Sequence, residues 1–121
     1  MNYQAKKIFL TCSENTVREW AAFMNRHKNE VAQSLLQEGV RHEMWLMGRN
    51  QNQLYIIGVM DVDDRTASSK IAKQSMLSVD KVHREFKTHW DRSKMEDLKI
   101  DPLRPPNFAE CELLIDVRQS A

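Results

Sequence analysis

The sequence predicts an α+β sandwich in which two helical segments cover one face of a four-stranded antiparallel sheet. Three observations lead there. Two period-2 runs, His42 to Met47 and Leu54 to Val62, flank the polar stretch Gly48-Arg49-Asn50-Gln51-Asn52-Gln53, the pattern of a β-hairpin. Apolar residues recur at helical spacing before the hairpin, from Val17 to Leu35, and after it, from Ala67 to Trp90. A further alternating run stands toward each end of the chain, Lys6 to Cys12 and Phe108 to Val117. The order is strand, helix, hairpin, helix, strand, and right-handed crossovers put both helices on one side of the sheet.

In the first strand Ile8, Leu10 and Cys12 alternate with Lys7, Phe9 and Thr11. Ser13 to Thr16 then supply capping residues, and Thr16 with Glu19 has capping-box spacing. One long helix is expected from there, with Val17, Trp20, Ala21, Met24, Val31 and Leu35 on its inner stripe and Gly39 as the left-handed residue that ends it. His27 falls on or beside that stripe, where a histidine is more often a hydrogen-bonded core or boundary residue than a catalyst. After the hairpin, Asp64 or Thr66 caps the second helical region, and Ser78 or Asp80 re-caps it at a break near Ser78. Asp80 precedes His83 by three residues, close enough on one helical face to orient the imidazole. From 93 to 107 charge and three prolines, Pro102, Pro105 and Pro106, indicate a connector. The last strand puts Cys111, Leu113, Ile115 and Val117 on one face and Glu110, Glu112 and Leu114 on the other.

Composition fits one domain spanning 1–121, long enough to bury roughly two-thirds of its unfolded surface. Eighteen Lys and Arg against seventeen Asp and Glu leave a net charge of +1, which gives no field for nucleic acid or a membrane surface. Cys12 and Cys111 are isolated, with no CxxC, no His/Cys ligand spacing and no secretory signal. The reading is therefore a cytoplasmic protein with reduced thiols, no metal and no cofactor.

The layout is a ferredoxin-like βαββαβ sandwich with Ile8, Leu10, Cys12, Cys111, Leu113 and Ile115 beneath the helices. Its opposite sheet face carries Phe9, Trp45, Tyr55, Ile57, Val59 and Leu114, too much apolar surface for a solvated monomer. That predicts a homodimer through the sheet face, two copies closing a barrel. Within it would lie Lys7, Thr11, Glu43, Glu110 and Glu112. A buried carboxyl of raised pKa serves as general acid or base, although Lys7 pairing with Glu110 or Glu112 across strands accounts for the same residues without chemistry. Register decides, because a one-residue slip sends Glu43 and Trp45 to the helix side.

The strand, the long helix ending in Gly39, the hairpin from Glu43 to Val62, the second helix with Phe86 and Trp90, and the strand Glu110 to Ile115 together resemble the dimeric α/β-barrel superfamily, in an uncharacterised domain-of-unknown-function branch. Among members of known activity the layout is similar to rhamnose mutarotases, and Arg26-His27 resembles their first-helix histidine. No Trp-Pro follows His27, and Trp90 stands alone in the second helix. The resemblance implies acid/base isomerisation of a small polar molecule such as a sugar. Glu43, Glu110 and Glu112 would move protons, His27 or His83 assist, and Trp45 and Tyr55 stack on the substrate beside Lys7 and Thr11. A cofactor-free monooxygenase and a non-catalytic ligand-binding or assembly module are the alternatives.

Overall fold

The computed structural model describes residues 1–120 and is α+β, with four α-helices and a five-stranded antiparallel sheet. In chain order these are β1 (Tyr3–Leu10), α1 (Glu14–Arg26), α2 (Lys28–Glu38), β2 (Val40–Asn50), β3 (Gln53–Val62), α3 (Arg65–Gln74), α4 (Ser78–Phe86), β4 (Trp90–Leu98) and β5 (Glu112–Arg118). The strands lie in the order β4-β1-β3-β2-β5. The four-stranded ferredoxin-like sheet expected from the sequence is therefore not what forms. The stretch taken for the end of a helix and the start of a connector is β4, an edge strand. It needs few apolar residues, here Trp90, Met95 and Leu98, and its exposed charges discourage pairing with other chains.

The single helix expected before Gly39 is two. Ser13 caps α1, accepting from the amide of Thr16, and His27 leaves helical geometry (φ −120°, ψ 36°) between α1 and α2. Its Nδ1 donates to the Phe23 carbonyl 2.8 Å away, holding the break closed. Gly39 ends α2 at φ 74°, as expected. The break near Ser78 is present too, with Asp64 capping α3. In the hairpin the strands run to Asn50 and from Gln53, and it is Gln51, not a glycine or asparagine, that takes positive φ (59°).

Two bulges set the faces. One at Arg41 places Val40 and then Glu43, Trp45 and Met47 toward the helices, leaving His42, Met44 and Leu46 on the back. The register expected for Glu43 and Trp45 is thereby reversed. The other, at Leu114, splits the alternation of β5: Ile115 and Val117 are buried under the helices, Leu113 is exposed, and Cys111 packs on the back face.

That back face is closed by the chain itself. β4 and β5 are opposite edges, so residues 99–111 must span four inter-strand gaps, roughly 19 Å. They do so across the sheet: Leu98, Ile100, Phe108 and Cys111 pack on Tyr3, Ala5, Met44, Leu46, Tyr55, Ile57 and Val59, and the amide of Tyr3 donates to the Pro102 carbonyl at 2.9 Å. The bare apolar surface from which a sheet-to-sheet homodimer was expected is thus buried within one chain, and the argument for that interface goes with it.

Candidate functional site

With the back face sealed, the enclosed space is on the helix side. A cavity of about 520 Å³ lies between the sheet and α2, α3 and α4, within the range of small-molecule sites. Its floor is Trp45. The indole lies flat across β3 because Gly58, its cross-strand partner, has no side chain: a Cβ there would stand 2.6 Å from the ring. Trp45 Nε1 donates to Glu43 Oε1 at 2.9 Å, fixing the carboxyl two residues before it on the same strand face.

Glu43 is half-buried and lines the cavity. Burial pushes its carboxyl up to about 7, while the Trp45 hydrogen bond and the Lys87 ammonium favour the charged form. Glu38, in the last turn of α2, is pushed up to about 8 by burial and by the neighbouring Glu43 and Asp80 charges. The negative end of the α2 dipole works in the same direction. Asp80 is held as an acceptor by Ser34 Oγ at 2.6 and 2.8 Å and by Ser75. Ser34 Oγ also reaches Glu38 Oε2, at 3.4 Å.

The opposite wall is α4 and its C-cap, where Asp80, His83 and Lys87 recur at i, i+3 and i+7 along the cavity. His83 is packed among Trp20, Trp45 and Trp90, at ring-centroid distances of 5.7, 5.3 and 6.1 Å. Burial and then Lys87 push it down to about 3, so it is neutral. Its Nδ1 and the Trp90 Nε1 have no hydrogen-bond partner among the described residues. Burial also lowers the Lys87 ammonium, against the pull of Glu43 and Glu38.

Of the residues expected to form a site, the cavity thus gathers Glu43, His83 and Trp45. The others lie elsewhere. Glu112 is on the helix side of β5 but exposed, clasped by Arg18 of α1 at 2.9 and 3.0 Å, which lowers its pKa. Glu110 is exposed in the turn before β5. His27 stacks on Phe23 at the α1–α2 break. Lys7 lies 4.3 Å from the Tyr55 ring centroid on the back face. Tyr55 meets Cys111 Sγ at 3.4 Å, and that contact, with burial, pushes the phenol up to about 12. Thr11 bonds the His89 carbonyl at the end of β1. Asp80, expected to orient His83, instead accepts from Ser34 and Ser75 and leaves the His83 Nδ1 unpartnered among the described residues; Glu38 and Lys87 were not foreseen as site residues, although a carboxylate at a helix C-terminus and a polar 80, 83, 87 row beside the Val79, Val82, Phe86 stripe were signals available in the letters.

Fold and cavity together define an α+β protein with a pocket of titratable walls between its sheet and its helices. Residues 10–110 match the model of a family described as Family of unknown function (DUF6176), and the chain belongs to that family. No curated protein and no solved structure matches it. Among the described residues, no helix is long and apolar enough to cross a membrane, and no cluster of three or more His, Cys, Asp and Glu is placed to hold a metal ion.

Proposed function

We propose that the cavity beneath the helices binds a small polar molecule such as a sugar and that Glu43 moves a proton on it, in an acid/base isomerisation. The observation that carries this is a carboxyl lining a ligand-sized cavity and hydrogen-bonded to the Trp45 indole, pushed up by burial to about 7, where a general base and its conjugate acid are both available at neutral pH. Trp45 offers the flat apolar face on which a sugar ring stacks, and its hydrogen bond aims Glu43. In ring opening Glu43 accepts the proton of the anomeric hydroxyl as the bond from the anomeric carbon to the ring oxygen breaks. Glu38, protonated at neutral pH, returns a proton to the ring oxygen, and the reverse steps close the ring on its other face. Cys12 and Cys111, both free thiols, suit the reducing cytoplasm.

The test is anomer exchange by NMR over a panel of sugars with wild type, Glu43→Gln and Glu112→Gln. Wild type and Glu112→Gln should accelerate exchange of at least one sugar, and Glu43→Gln should not. Equal rates with wild type and Glu43→Gln contradict the proposal, and a sugar that occupies the cavity without exchanging makes the protein a binding module.

A further inference from the structure

The charge of the cavity wall narrows the kind of molecule it takes. Six cationic side chains line it, Lys6, Arg65, Lys73, Arg84, Lys87 and Arg92, against three carboxyls, Glu38, Glu43 and Asp80. Asp97 answers Lys6 at 3.9 Å and Arg65 at 3.6 Å. The other four have no carboxylate within ion-pair distance among the described residues, and Arg84 spends its donors on the carbonyls of Ala72 and Ser75. Two of these cations flank one aromatic: Lys87 Nζ lies 5.3 Å and the Arg92 guanidinium 5.7 Å from the Trp90 ring centroid. Arg92 and Lys73 are near enough to repel Lys87. Trp90 itself lines the cavity, and its indole N–H is buried and unpartnered among the described residues. Lysine, guanidinium and indole are all donors, and Lys87, half-buried beside the exposed Arg92 and Lys73, has Glu43 and Glu38 as its attracting charges on the Trp45 side and only cations on the other.

We infer that the ligand of this cavity is a small organic anion whose carboxylate or phosphate is held by Lys87, Arg92, Lys73 and the Trp90 indole N–H. The inference rests on the cavity being the ligand site, as proposed above, but not on Glu43 performing chemistry. The anionic end sits at the Trp90 side, and the remainder of the molecule lies over Trp45 toward Glu43.

The experiment follows the Trp90 indole N–H signal by NMR in the full chain during titration with glucuronate, glucose 6-phosphate and inorganic phosphate. Uncharged glucose and cationic glucosamine serve as matched rings. At least one anion should shift the signal and bind about tenfold or more tightly than glucose, as expected for one charge-assisted contact. Raising salt should weaken it. Lys87→Gln should lose that advantage, and Arg92→Gln, at an exposed position where folding is not at risk, should reduce it. The carboxylate and phosphate arms separate the two head groups. Glu43→Gln should keep anion binding while abolishing any anomer exchange, so failure of the chemistry and failure of this inference give different results. Glucose binding as well as the anions, binding unaffected in both cation variants, or no shift from any anion would each overturn it.

Discussion

Replacing Glu43 with Gln should make the protein more stable above neutral pH, a direction opposite to that of most substitutions at enclosed positions. The amide keeps the shape of the side chain and an oxygen for the Trp45 indole but cannot ionise. In the fold the carboxyl holds its proton up to about 7, against an ordinary 4.5. Between those values the folded protein binds more proton than the unfolded chain, so wild-type stability falls as pH rises from about 4.5 to about 7 and stays low beyond. At 1.36 kcal/mol per pH unit the full penalty is roughly 3 kcal/mol. Lys87 loses a counter-charge in the variant, which leaves a net gain of roughly 1 to 3 kcal/mol, or about 4 to 12 °C in Tm. His83, held neutral, has the opposite sign, costing stability as pH falls below 6.5. It is present in both proteins and cancels in the difference. Thermal unfolding of the pair from pH 4 to pH 9 should show curves that coincide at the acid end and separate through neutrality. A variant no more stable than wild type at pH 8, or a gap independent of pH, would falsify the claim that Glu43 is charged at a cost inside the cavity.

Gly58→Ala should displace the Trp45 indole, since the new methyl meets the ring at 2.6 Å. A loss of roughly 1 to 3 kcal/mol and a shift in the Trp45 indole N–H resonance are expected, and an unchanged resonance refutes the packing. Phe108→Ala should loosen the segment crossing the back face, and faster amide exchange in residues 99–111, with dye binding to the uncovered sheet, is the readout. His83→Phe keeps an aromatic ring between Trp20 and Trp45 and removes the buried base, so the decline in stability as pH falls from 6.5 should shrink. The same decline in the variant would assign it to another group. His42, 3 % exposed, donates from Nε2 to Asp116 at 2.6 Å and accepts the Tyr3 hydroxyl at Nδ1 at 2.9 Å. His42→Ala leaves both partners unpaired, and β5 should exchange its amides faster at a cost of roughly 1 to 3 kcal/mol.

Which parts of this structure could be read from the letters follows from what each signal measures. Periodicity found β1, the hairpin and the helical regions, because apolar spacing reports burial directly, and the Gly39 and Asp64 caps followed from local hydrogen bonding. β4 was missed because an exposed edge strand of alternating charge has almost no apolar face to report. The His27 break was missed because the stripe resumes on its far side, so Val31 and Leu35 look continuous with Met24. Register failed at Arg41 and Leu114, where one extra residue moves every later side chain to the other face while the composition stays the same. Gly58, a lone glycine in a run of β-branched residues, was the clue that Trp45 crosses over it and hence that Glu43 faces the helices. The uncovered face was an error of economy: the proline-containing connector was long enough to cover the sheet, and no second copy was needed to explain the apolar residues there.

The proposed chemistry requires that Glu43, in the helix-side cavity, exchange its proton near neutral pH. Its most direct test is a pH titration of carboxyl resonances in protein labelled at glutamate Cδ, with Glu43→Gln assigning the signal. The resonance missing from the variant should have its midpoint near 7. A Glu43 midpoint near the ordinary 4.5 contradicts it and removes the acid/base role.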